Sequence, residues 1–137
     1  MMLRFNWFRP SQVAGVLALS MAVVFPSFAY DPTGKWQVTS GESRYRVLFC
    51  ERDKLCAKLI WLRDDVTDQE VRAYLNQYVV TGAVEVRPNL WSGGLKYGGD
   101  VYQGELTVND DRHMTLEGCK GILCQSFSLD RLNTAAR

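Results

Sequence analysis

From residue 34 to residue 132 the chain runs in short stretches of alternating apolar and polar side chains. Trp36 and Val38 alternate with Lys35 and Gln37, and a turn comes next at residues 40–43. Tyr45, Val47 and Phe49 then share one side, with Arg44 and Arg46 on the other. Ala57, Leu59 and Trp61 repeat the pattern after a polar loop at 51–55. Tyr102, Leu106 and Val108 do so again, then Met114 and Leu116, then Phe127, Leu129 and Arg131. A period of two residues predicts strands with one dry face, so the chain reads as mainly β. One stretch departs from this. Thr67 followed by Glu70 forms a capping box, and Val71, Tyr74, Leu75 and Tyr78 recur at helical spacing. That spacing predicts a helix from Asp68 to near Tyr78. Residues 79–91 read as one or two strands, with Pro88 at a strand end. Residues 92–100, with Gly93, Gly94, Gly98 and Gly99, read as irregular or sharply turned.

The N-terminal run has another character. Residues 1–10 carry Arg4 and Arg9 and no acid, and residues 13–25 are almost wholly apolar. Ser27-Phe28-Ala29 then offers small residues three before and one before Tyr30. This is the three-part pattern of a secretory signal peptide cut after residue 29. At 13 residues the apolar run is shorter than the roughly 20 needed to span a bilayer. Stable membrane insertion is therefore not expected, and residues 30–137 form the single working domain, periplasmic or secreted. Cys50, Cys56, Cys119 and Cys124 all lie in that part. An even count in a small exported domain reads as two disulfides, and four cysteines allow three pairings. By alternation Cys50 and Cys56 share the face away from Tyr45 and Leu59, across one hairpin loop. Cys119 and Cys124 do the same opposite Met114 and Phe127. That geometry favours Cys50–Cys56 and Cys119–Cys124. No metal is expected: the spacings are not those of a zinc knuckle, and His113 is the one histidine.

Without the leader the charges are 14 basic against 15 acidic, with no block of one sign. An electrostatic footprint for nucleic acid or an anionic membrane is absent. Catalytic sets are absent too. His113 comes after a turn with no nucleophile motif beside it. Asp64, Asp65, Asp68 and Glu70 lie before and within a first helical turn, where acids favour the helix dipole. The paired glycines precede no phosphate-loop lysine. No enzyme activity and no cofactor are expected.

Short antiparallel strands must hide their edges, and closure into a barrel does so. Trp36 on the first strand and Arg131 on the last both face inward by alternation. An indole face can stack on a guanidinium only if these strands adjoin. Gly34-x-Trp36 with a late Arg resembles the base of the calycins, the lipocalin and fatty-acid-binding superfamily. The segments around Cys50 and 55–62, Leu90 to Gly94, Tyr97 to Tyr102, and Leu116 through Cys119 and Cys124 to Arg131 sharpen this. Together they resemble the domain-of-unknown-function 2147 family, small exported bacterial proteins. Residues 63–88 depart from its pattern. The resemblance implies a small antiparallel calycin-like β-barrel with one short helix.

Such a barrel is either filled by its own side chains or holds one small apolar ligand. Tyr45, Phe49, Trp61 and Tyr102 are the expected lining, being inward and large. The helix is expected to cover the open end. A protein-binding module, such as an inhibitor of a secreted hydrolase, is the alternative. Its expected surface is the glycine-rich loop with Trp91 and Tyr97, since aromatic residues anchor interfaces.

Overall fold

The computed structural model describes residues 15–23 and 29–133. The leader signals at Arg4, Arg9, Ser27 and Phe28 lie outside these residues, as does the end of the tail. Eight antiparallel strands run in chain order: β1 (Gly34–Val38), β2 (Ser43–Glu51), β3 (Lys54–Leu62), β4 (Tyr78–Arg87), β5 (Leu90–Tyr97), β6 (Asp100–Val108), β7 (His113–Lys120) and β8 (Leu123–Arg131). Each pairs with its neighbour in sequence, and β1 closes on β8. One helical turn, α1 (Gln69–Arg72), interrupts the series between β3 and β4. None of the described helices is long and apolar enough to cross a membrane.

Closure occurs where alternation places it. Trp36 pairs with Arg131, Gln37 with Asp130 and Val38 with Leu129. The Arg131 guanidinium stands 4.3 Å from the centre of the Trp36 ring. It donates to the carbonyls of Thr33 and Asp31, each at 2.5 Å, and to that of Asp111 at 2.6 Å. The Trp36 indole N–H donates to Pro32 O at 2.9 Å. The disulfides are Cys50–Cys56 and Cys119–Cys124, one in the β2–β3 hairpin and one in the β7–β8 hairpin. A closed barrel with these staples is consistent with the calycin-like resemblance.

Four expectations need correction. The helix is one turn, not a run to Tyr78. Asp68 rather than Thr67 caps it, accepting the Glu70 N–H at 2.9 Å. Asn76 adopts φ 64°, and Tyr78 opens strand β4. Second, Trp61 points outward and is 36% exposed. Tyr45 pairs with Leu59 but Arg44 with Trp61, so Ile60 is an extra residue, a bulge. It reverses the parity of the strand beyond it: Trp61 goes out and Leu62 in. Third, Phe49 keeps its register opposite Leu55 but lies at the strand end, 45% exposed. Fourth, residues 92–97 are not irregular. They belong to β5, and only Gly98 and Gly99 make the turn. Trp91 is accordingly a core residue, 4% exposed, not part of a surface loop.

Glycine is in β5 because neighbours come close. A Cβ on Gly93 would lie 2.9 Å from the Ala83 Cα, and one on Gly118 would lie 2.9 Å from Leu95 Cδ2. Gly93, Gly104 and Gly118 form one row across β5, β6 and β7. Leu95 packs over this row.

Candidate functional site

The two ends of the barrel differ. The start of β1, the end of β8 and the β2–β3, β4–β5 and β6–β7 hairpins form the base. There Trp36, Leu55, Trp91, Val108 and Met114 are buried and fill the interior. The other end carries the β1–β2, β5–β6 and β7–β8 turns and the long connection through α1. Its interior is not filled. A cavity of about 310 Å³ lies there, walled by Leu59, Leu95, Leu116, Phe127 and Leu129. A second pocket of about 230 Å³ shares Leu95, Tyr97 and Phe127 with it and extends to Tyr102 and Leu123.

Residues 63–77 cover part of this mouth. Val66, Val71, Tyr74 and Leu75 pack against the core, and the first three line the cavity. Hydrogen bonds fix the segment at both sides. Arg63 donates its N–H to Glu42 O at 2.9 Å and its guanidinium to Ser40 O at 3.2 Å. Gly99 donates its N–H to the Tyr74 hydroxyl at 2.9 Å, tying the cover to the β5–β6 turn. Arg72 donates to the carbonyls of Arg63 and Asp64 at 3.3 and 3.2 Å. The acids of this region serve the segment itself. Asp65 pairs with Arg63 at 2.6 Å, and that bond holds its carboxyl below the usual carboxylate range. Asp68 caps α1 while its residue also borders the cavity.

The cavity wall is mostly apolar, with Ser40, Ser43, Tyr45, Tyr74 and Tyr97 as its uncharged polar members. Ser43 is 8% exposed, and its hydroxyl lies 3.4 Å from that of Tyr45. Burial pushes the Tyr45 phenol above its ordinary pKa, so it stays protonated at neutral pH. Charged residues stand at the rim: Glu42, Asp68 and Lys96. An apolar body with one uncharged hydrogen-bonding group suits this lining.

Tyr45 and Tyr102 therefore line the open space, whereas Phe49 and Trp61 do not. Leu95 and Tyr97 were hidden by the glycines around them. The spacing Trp91, Gly93, Leu95, Tyr97 was their signal: every second position turns inward. Tyr97 packs edge-on to Tyr102, with ring centres 6.4 Å apart. His113 lies at the base, its Nδ1 2.9 Å from the Asp110 carboxylate, away from the cavity. The Glu117 carboxylate and the Cys119 and Cys124 sulfurs come within 4.8 Å of one another, but the two sulfurs are bonded together. They offer no thiolate for a metal.

Among known proteins, the profile of one family matches residues 34–131, from the start of β1 to the end of β8. It is described as an uncharacterized protein conserved in bacteria, DUF2147. No curated protein and no solved structure matches the chain.

Proposed function

The chain belongs to the DUF2147 family, and we propose that it is an exported, non-enzymatic barrel that holds one small apolar molecule in its mouth. The observation that carries this reading is the contrast between the two ends. The base is packed shut around Trp36, while the mouth leaves about 310 Å³ among apolar side chains. Ligand pockets begin at about this size and are lined in this way. The Ser43–Tyr45 hydroxyls would receive one neutral polar group of the guest.

Two disulfides suit an oxidising, non-cytoplasmic location. The apolar side chains of the described leader segment, Val16, Leu17, Leu19, Met21 and Val23, are exposed and join no core. That suits a leader which is no part of the folded domain. Of the two aromatic residues expected at a protein-binding surface, Trp91 is buried and Tyr97 is 46% exposed.

Displacement of a neutral fluorescent probe, N-phenyl-1-naphthylamine, tests the reading. The probe should bind the 30–137 protein, and decanol should displace it better than decanoate. A protein that leaves the probe fluorescence unchanged has no usable cavity, and the proposal falls.

A further inference from the structure

The near-neutral composition conceals a one-sided surface. Strand register carries the hidden order. Lys35 pairs with Arg46, Arg46 with Lys58, and Lys58 with Tyr78. These four residues make one outward row across β1, β2, β3 and β4. The neighbouring row is Gln37, Arg44 and Trp61. Adjacent strands are about 4.8 Å apart, so a row sets one cation per strand at that step.

The side chains on this wall are arranged as a basic and aromatic surface. The Arg44 guanidinium lies 4.4 Å from the Trp61 ring centre and its Nε donates to Gln37 Oε1 at 2.8 Å. The Lys58 ammonium lies 5.7 Å from the Tyr78 ring. Trp61 and Tyr78 remain 36% and 42% exposed. Among the described residues, Lys35, Arg44, Arg46 and Lys58 have no carboxylate within ion-pair distance. Two acids bound the wall, and each has a cationic or imidazole neighbour of its own. Asp130, beside Gln37, is 3.7 Å from His113, and Glu51 at the hairpin end is 3.9 Å from Lys54.

We propose that the outer face of β1–β4 binds a linear acidic polysaccharide. A chain laid across the strands presents a sugar ring and an anion at intervals close to the strand spacing. Its anions meet Lys35, Arg46 and Lys58 in turn. Its ring faces rest against Tyr78 and Trp61, whose other side Arg44 occupies. The wall does not suit insertion into a bilayer, since the apolar tips Ile122 and Leu123 belong to the mouth instead. The disulfides favour a compartment where acidic glycans, rather than nucleic acids, are the abundant linear polyanions. This surface lies outside the barrel and is independent of the cavity.

Calorimetric titration with polygalacturonate is the test, with dextran as its uncharged counterpart. The wild-type chain should bind the former and not the latter, and added salt should weaken binding. Arg46→Glu with Lys58→Glu should reduce affinity by roughly tenfold or more, through lost attraction and new repulsion. Lys96→Glu at the mouth should leave it unchanged. Circular dichroism checks the fold of each variant, and Lys35→Glu alone carries the test if the double variant unfolds. No binding of polygalacturonate, equal binding of dextran, or an indifferent charge reversal overturns the proposal. Tighter binding of oligothymidylate or of phosphatidylglycerol vesicles overturns it too, and assigns the wall to a nucleic acid or a membrane.

Discussion

Arg131 joins the last strand to the first through one aromatic face and three backbone carbonyls. Arg131→Ala should lower stability by about 1–3 kcal/mol, read as a shift of the urea midpoint. Arg131→Lys keeps an aliphatic stem but not the guanidinium fork, so it should recover lost packing and little of the carbonyl bonding. Asp110 acts at the same end. It accepts the Arg112 N–H at 2.7 Å and faces the His113 ring, and these hold its carboxyl below the ordinary value. A lowered folded pKa stabilises the fold above the unfolded carboxyl pKa, and that contribution disappears as pH falls through the lowered value. Asp110→Asn should therefore narrow the stability difference between neutral pH and the acid range, measured by urea titration at each pH. Sequence alone reaches such residues to different degrees. Trp36 and Arg131 lie on strands where alternation runs unbroken, so their faces come from counting. Trp61 lies one residue beyond the Ile60 bulge, and counting then gives the wrong side. Phe49 shows a further limit: alternation assigns a face but not a depth, and the strand end leaves its ring in water.

Between β3 and β4 local preference and tertiary pairing compete. The spacing of Val71, Tyr74 and Leu75 is helical, and those side chains do turn toward the core. Yet the Asn76 N–H donates to Leu59 O at 2.7 Å, and the Leu59 N–H donates to Gln77 O at 3.0 Å. Sheet bonding thus begins where the helical spacing would continue, and Val79 and Val80 favour it. The single turn that survives is enough to make a cover. The glycines of β5 mislead a sequence reading for a related reason: their purpose is across the sheet, not along it. Their contacts rank two substitutions. Gly93→Ala brings a methyl against the Ala83 backbone, which cannot yield, and should cost about 1–3 kcal/mol. Gly118→Ala crowds the end of Leu95, beside the cavity, and otherwise makes an ordinary contact with Tyr102 Cβ at 3.8 Å. Leu95 can move into that space, so the cost should be smaller, while probe affinity falls. Urea midpoints in the reverse order would show that the Gly118 side is the rigid one.

At the scale of the molecule, the barrel separates stability from occupancy. The base holds Trp36, Leu55, Trp91 and Met114 in close contact, and two hairpins are stapled. The mouth adds apolar wall without filling the space inside it. Sequence shows which side chains face in, but not whether they meet, because that depends on strand number and tilt. The outer basic wall is equally hidden: its cations are scattered along the chain and gather only through register. A filling substitution tests the cavity directly. Leu116 lines the cavity on β7, opposite Phe127 and near Leu59. In a packed interior Leu116→Trp would cost about 1–3 kcal/mol by overpacking. Here the larger ring enters open volume and gains apolar contact, so the urea midpoint should stay close to that of the wild type. The same ring occupies the place of the guest, so binding of N-phenyl-1-naphthylamine should be lost. Loss of stability with probe binding retained would mean that the open space lies elsewhere. The pairing of unchanged stability with lost binding is what a mouth built for a guest, on a base that folds without one, requires.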